Sequence, residues 1–222
     1  MVSPYQYSLV VENDSSNGGT FVVFQQDPGL GVTGLLPLAW LTKNANPTTQ
    51  IVFSWSVDYD FVWYDSGELV PGILCVASQT WPAGLSTTNQ VTLTRNGNGY
   101  TFASQTAGPA AGNLYVVQDG SVASDAVTVG IGMSGSGSLV VQAQPNVTTR
   151  FASPSPEIWL AFSLQEITRG EVLDPGQLPA PNVRIDFPQN VFTMKATLDA
   201  GNAWSVVPVT AAALAAAEEL PT

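Results

Sequence analysis

The chain has 222 residues with 20 Gly, 16 Pro, one Cys and no His, and 6 Lys and Arg stand against 17 Asp and Glu for a net charge of -11. Without histidine there is no Ser-His-Asp triad, no Cys-His pair and no imidazole-ligated zinc or haem; one cysteine excludes an internal disulfide framework and thiolate-bound clusters. Six scattered basic residues also supply neither a phosphate-tracking surface for nucleic acid nor an anchor for an anionic membrane.

Taken in chain order, residues 1–8 have neither the basic start nor the apolar run of a secretory leader, so the expectation is a cytoplasmic protein, or one released without a visible signal peptide. Residues 5–12 and 20–26 read as strands. Between them, Glu12 to Gly19 offers hard oxygen ligands but lacks the spacing of an EF-hand, and it reads as a polar hairpin loop. Gly29-Leu-Gly31-Val-Thr-Gly34 matches a dinucleotide pattern in letters alone. It is followed by Leu-Leu-Pro37, whereas pyrophosphate binding needs a helix N-terminus there, so it reads as a turn.

After a strand at 36–41 comes the clearest periodicity, from Ile51 to Trp63. Odd positions carry Ile51, Phe53, Trp55, Val57, Tyr59, Phe61 and Trp63; even positions include Ser54, Ser56, Asp58 and Asp60. A period of two puts rings on one face and hydroxyls and carboxylates on the other, in one long strand or two joined by a bulge. Further strands are expected at 73–78, 90–95, 99–104, 113–118, 126–132, 138–144, 157–164, 182–186, 191–198 and 203–207. Asn96-Gly-Asn-Gly99 marks a hairpin, because Asn and Gly accept the positive φ of primed turns. Gly130-Ile-Gly132-Met-Ser-Gly135 repeats the dinucleotide pattern but leads into another strand. Cys75 lies in an apolar run and reads as a buried thiol. Gly170 to Pro181 is a turn-rich connector, and Thr210 to Leu220 is an Ala-rich run with Thr210 as a plausible N-cap.

These elements imply an all-β fold, an antiparallel β-sandwich or jelly roll, with residues 1–209 as a single domain and 210–222 as a C-terminal helix or tail. No uninterrupted apolar stretch reaches the length of a membrane span. Charged residues are only 10% of the chain, against about 25% in typical domains. The surface is therefore mostly neutral and polar, which favours close approach of partners. The leading expectation is a non-catalytic protein that self-associates, as a homo-oligomer, or binds a partner, with no cofactor, no metal and no nucleic acid. Asp58, Asp60, Asp65, Glu68, Trp81 and Leu214 are the residues expected at a ligand or assembly surface. A carbohydrate-binding module is the alternative, since rings stack on pyranose faces and carboxylates accept from hydroxyls. A glycan hydrolase, which would need paired carboxylates across a cleft, is the third. The alternation places Trp55 and Trp63 in the core and the acids at positions 58 and 60 in solvent.

The wording of Tyr5-Gln-Tyr-Ser-Leu-Val-Val-Glu-Asn13, Gly19-Thr-Phe-Val-Val-Phe-Gln-Gln-Asp-Pro28, Leu38-Ala-Trp40 and Phe53-Ser-Trp-Ser-Val-Asp-Tyr-Asp-Phe-Val-Trp63 resembles the rhizosphere-expressed RhiA-type proteins of plant-associated bacteria. The resemblance covers about the first 80 residues and rests on strands and loops, with no catalytic signature. It implies a soluble bacterial protein of this size, made abundantly under quorum control, in a family without an established biochemical activity. No catalytic residue carries over from it.

Overall fold

The computed structural model describes residues 6–209 apart from residue 98. The expected all-β class holds. The first strands are β1 (Gln6–Asn13), β2 (Gly19–Gln25), β3 (Leu36–Pro37), β4 (Leu41–Ala45), β5 (Thr49–Ser56) and β6 (Tyr59–Tyr64). The middle of the chain adds β7 (Ala77–Pro82), β8 (Gln90–Asn96), β9 (Gly99–Thr106), β10 (Leu114–Gln118), β11 (Thr128–Met133), β12 (Ser136–Gln142) and β13 (Val147–Phe151). The last are β14 (Ile158–Ser163), β15 (Asn182–Ile185), β16 (Thr193–Leu198) and β17 (Trp204–Pro208). Among the described residues no helix is long and apolar enough to cross a membrane.

The periodic run from Ile51 to Trp63 is two strands in two different sheets. β5 pairs with β1, β6 pairs with β11, and the chain crosses between layers at Val57 and Asp58. Two hydrophobic cores lie on either side of that crossing. Sheets β17-β16-β1-β5 and β15-β14-β2-β4 share the first. Alternate residues Leu9 and Val11 of β1 and Met194, Ala196 and Leu198 of β16 meet Phe21, Val23, Leu160 and Phe162 there. Sheets β13-β10-β8-β9 and β3-β12-β11-β6-β7 share the second, around Phe61, Val91, Leu93, Val116, Val129, Ile131 and Phe151. The two ends of the chain build the first core and its middle builds the second.

The two cores repeat one plan. Reading β10, β11, β12, β13, β6, β7, β8, β9 against β1, β2, β4, β5, β14, β15, β16, β17 reproduces both sheets, with β3 as an extra edge strand. Directions agree as well. Both plans have a parallel central pair, β1 with β16 and β10 with β8, among antiparallel neighbours. The parallel pairs join strands from distant parts of the chain, which no local signal announces. The register matches too, since Asn13 lies opposite Leu198 and Gln118 opposite Leu93. At the start of β5 and of β13 stand Ala45-Asn-Pro-Thr48 and Ala143-Gln-Pro-Asn146, with Thr48 and Asn146 both at positive φ, 63° and 58°. Their N–H groups donate to the carbonyls of Asn13 and Asp119, at 2.7 and 3.4 Å.

The outer faces of β2 and β6 are also covered. Leu38, Cys75 and Val172 pack on Val62, Tyr64 and Val140, while Ala39 and Leu173 pack on Val22, Phe24 and Ala161. Much of the Gly170–Pro181 connector is therefore a packed cover, held by bridges from Val172 to Leu38 and from Glu171 to Leu74. Gly130 and Gly132 are strand residues. A Cβ on either would collide with the backbone of β12, so glycine is what lets these strands approach. The Thr210–Leu220 run, with Leu214, lies outside the described residues.

Candidate functional site

At the end of the first core where β1 and β16 begin and β5 finishes, the sandwich is open. A cleft of about 220 Å³ lies among Tyr7, Trp55, Val57, Pro156, Glu157, Ile158 and the segment Arg184–Phe187. Tyr7 and Trp55 face each other across the paired strands β1 and β5, and their rings are stacked at 6.3 Å. Phe187 sets its edge against both, 5.0 Å from Tyr7 and 5.7 Å from Trp55. Trp55 is nearly buried, whereas Tyr7 and Phe187 remain half-exposed. Arg184 crosses the rim. Its Nε donates to Asp186 Oδ1 at 2.7 Å, and Nη1 lies 3.4 Å from Glu157 Oε1. These ion pairs reach solvent and contribute about 1 kcal/mol or less to stability. Their consequence is positional, a fixed set of donors and acceptors beside an aromatic wall.

The same place in the second core is closed. By the shared register, Tyr7, Trp55 and Phe187 correspond to Gly112, Ser153 and Leu85. The Gly112 N–H donates directly to the Leu85 carbonyl at 2.7 Å. Leu30, 1% exposed, packs into the core from the long β2–β3 connection, and its carbonyl accepts from Ala152 N–H at 3.2 Å. A cavity of only about 10 Å³ remains between Leu30, Tyr59 and Ser155. In the first core the matching connection, between β11 and β12, is the tight turn Ser134-Gly135. It supplies no such plug.

Of the residues expected at a ligand or assembly surface, Asp58 and Asp60 meet at the β11–β12 turn, and Asp65, Glu68 and Trp81 do not join them. Asp58 is exposed at the layer crossing, where it accepts from the Ser56 hydroxyl and, at 3.3 Å, from Ser134 N–H. Asp60 corrects the expectation of a solvent-facing acid: it is 6% exposed. The β11–β12 turn closes over it and Gly135 N–H donates to Oδ2 at 2.7 Å. Burial pushes its carboxyl above the usual range, the Gly135 hydrogen bond opposes that, and neighbouring Asp58 adds to the rise. Alternation failed at Asp60 because β6 is covered on both faces. Asp65 and Glu68 are exposed in the loop beyond the far end of β6. Trp81 packs on Phe102 at 5.7 Å, paired with Phe61 on the face opposite Asp60.

Sequence reasoning missed Glu157, Arg184, Asp186, Tyr7 and Phe187 as a group. The available signal was Arg184-Ile-Asp186, where alternation sends both charges to one face beside the buried Ile185. Trp55 was correctly assigned to the core, though it also forms the cleft wall. The Glu12–Gly19 loop bonds to itself: Asn13 Oδ1 accepts from Ser15 N–H and hydroxyl, and Nδ2 donates to the Asn17 and Ala45 carbonyls. Cys75 is buried, its thiol pushed up to about 11 by burial.

The RhiA family profile matches residues 4–209. Protein RhiA of Rhizobium leguminosarum bv. viciae is 34% identical over 205 residues, covering 91% of this chain and 87% of that protein. The similarity thus runs through both cores, well past the first 80 residues. No solved structure matches the chain.

Proposed function

The chain belongs to the RhiA family, and we propose that it works there as a non-catalytic binding protein whose recognition surface is the open cleft of the first core. The observation that carries this reading is the internal contrast: one plan is built twice, closed by Leu30 in the second core and left open at about 220 Å³ in the first. An opening of that kind, with aromatic walls and a charged, hydrogen-bonded rim, is suited to a partner segment that inserts an aliphatic side chain and pairs polar groups at the rim. A segment of another copy would serve, which is how self-association enters.

The rings of Tyr7 and Phe187 beside the Arg184 guanidinium also favour a second reading, an oligosaccharide ligand. Both readings are tested by presenting the immobilised full chain with a displayed peptide library and an oligosaccharide panel, alongside a Phe187→Ala/Arg184→Ala variant of unchanged melting temperature. The first reading expects leucine- or isoleucine-anchored peptides to be enriched and lost in the variant. Oligosaccharide binding lost in the variant would favour the second. Binding that ignores the variant contradicts both, and turnover of a glycoside panel would overturn the non-catalytic assignment.

A further inference from the structure

We infer that the chain holds a second binding site, for a small organic monocarboxylate, on the covered outer face of β6 and β12, with Arg169 and Tyr64 gripping the carboxylate. The site is a cavity of about 180 Å³ whose side-chain walls are Trp40, Tyr64, Cys75, Val76, Ser136 and Arg169. It shares no lining residue with the cleft of the first core.

Charge selects the ligand. The sequence sets 17 acids against 6 basic residues, yet among the described residues no acid lines this cavity and its one charged side chain is Arg169. Asp60, on the same face of β6 as Tyr64, is not part of the lining and accepts from Gly135 N–H instead. Arg169 belongs to none of the ion pairs found among the described residues. Neutral acceptors hold its guanidinium in place: Nε donates to the Trp40 carbonyl at 3.1 Å, and Nη2 to Ser136 Oγ at 2.8 Å. Of its five N–H donors three remain, enough to grip a carboxylate bidentately.

A second donor lacks a partner. Tyr64 is only 3% exposed, yet it lines the cavity, and no described residue accepts from its hydroxyl. Such a group is costly to leave unmatched, and a carboxylate on Arg169 supplies the missing acceptor. A Cβ on Gly137 would overlap the Tyr64 oxygen, so glycine there gives the hydroxyl its room. Burial raises the Tyr64 phenol and the Arg169 charge opposes part of that rise, so the phenol keeps its proton at neutral pH within the field of the guanidinium. The Ser136 hydroxyl accepts from Arg169 and has its own hydrogen left to donate.

The remaining wall limits the body of the ligand. Cys75 is buried and Val76 is 70% exposed, so an apolar surface runs from the cavity to solvent. The volume is below the roughly 300–1,000 Å³ of clefts that take drug-sized molecules. One positive charge matches one carboxylate, whereas a dianionic phosphate would keep a charge without a partner.

The test titrates the isotopically labelled full chain with butyrate and benzoate, with their neutral amides and with inorganic phosphate, following the Gly137 and Gly170 backbone N–H signals by nuclear magnetic resonance. The carboxylates are expected to give saturable shifts and the amides none. Affinity is expected to fall about tenfold or more in Arg169→Gln and in Tyr64→Phe, since each removes a hydrogen bond to a charged group. Tyr64→Phe keeps the ring packed, so it carries the test even if Arg169→Gln, which also loses the bond to Trp40, fails to fold. No saturable shift, or an affinity unchanged in Tyr64→Phe, overturns the inference. Amides that bind as tightly as the acids overturn it too, as does phosphate binding more tightly than either carboxylate. Shifts confined to the Trp55 indole N–H would place the ligand in the cleft of the first core and equally overturn it.

Discussion

The two cores use the same strand order, directions and register, yet one end is sealed in the second and open in the first. The difference comes from side chains and one insertion, not from the sheets. Where the second core has Gly112 and Ser153, the first has Tyr7 and Trp55. Where a long connection delivers Leu30 to the second, a tight turn leaves the first without a plug. A repeated frame that is closed in one copy and rimmed with charge in the other separates what the fold needs from what the surface is for.

The sharpest way to break this comparison is to remove the plug. Leu30→Ala should lower unfolding free energy by about 3 kcal/mol, as for other buried leucines. Phe187→Ala, from the half-exposed wall of the open end, should cost about 1 kcal/mol for its smaller change in buried apolar area. Urea denaturation measures both. Equal losses would mean that the two ends are packed alike.

A second contrast lies in ionisation at matched strand positions. Asp60 of β6 corresponds to Trp159 of β14, so the covered outer face of β6 buries a carboxyl where that of β14 has an indole. A carboxyl raised by burial takes up its proton more readily in the folded state. Its contribution to stability is therefore fully present below the unfolded value and is lost as pH rises through the raised folded value. Asp60→Asn keeps an acceptor for Gly135 N–H and should remove that loss, making the variant relatively more stable at neutral pH than in acid. Melting curves across the acidic range check the sign, and a wild-type advantage that grows towards neutrality would contradict it.

The smallest effect belongs to the first core alone. Lys195 Nζ lies 2.6 Å from Glu12 Oε2, where the second core has Gln90 and Val117. The hydrogen bond from Lys195 holds the Glu12 carboxyl below its usual value, against a desolvation effect that raises it. This stabilisation is present above the unfolded value and lost as pH falls through the lowered folded one. Both side chains are about one-third exposed, so Glu12→Gln should cost only about 0.5 kcal/mol at neutral pH. Little or no difference between Glu12→Gln and wild type should remain once the carboxylate is protonated. A difference that persists in strong acid would assign the effect to packing.

Much of the fold was legible because strands such as β1, β8 and β16 alternate cleanly over a single core. Boundaries drifted where covering loops changed the pattern: the strand expected at 73–78 is β7 at 77–82, and β13 lacked enough apolar alternation to be found. The duplication stayed hidden because the cores interleave along the chain and share few letters beyond Ala-x-Pro and the buried Phe53 and Phe151. The candidate site was least legible. Its wall and rim come from β1, β5 and the segments flanking β14 and β15, brought together only by pairing across most of the sequence.

Hydroxyl-radical footprinting of the full chain compares the two ends most directly. The account expects Tyr7 and Phe187 to be labelled strongly and Leu30 to stay unlabelled. Labelling of Leu30 equal to that of Phe187, or a Phe187 protected from label, would contradict the claim that this end is open in the first core and closed in the second.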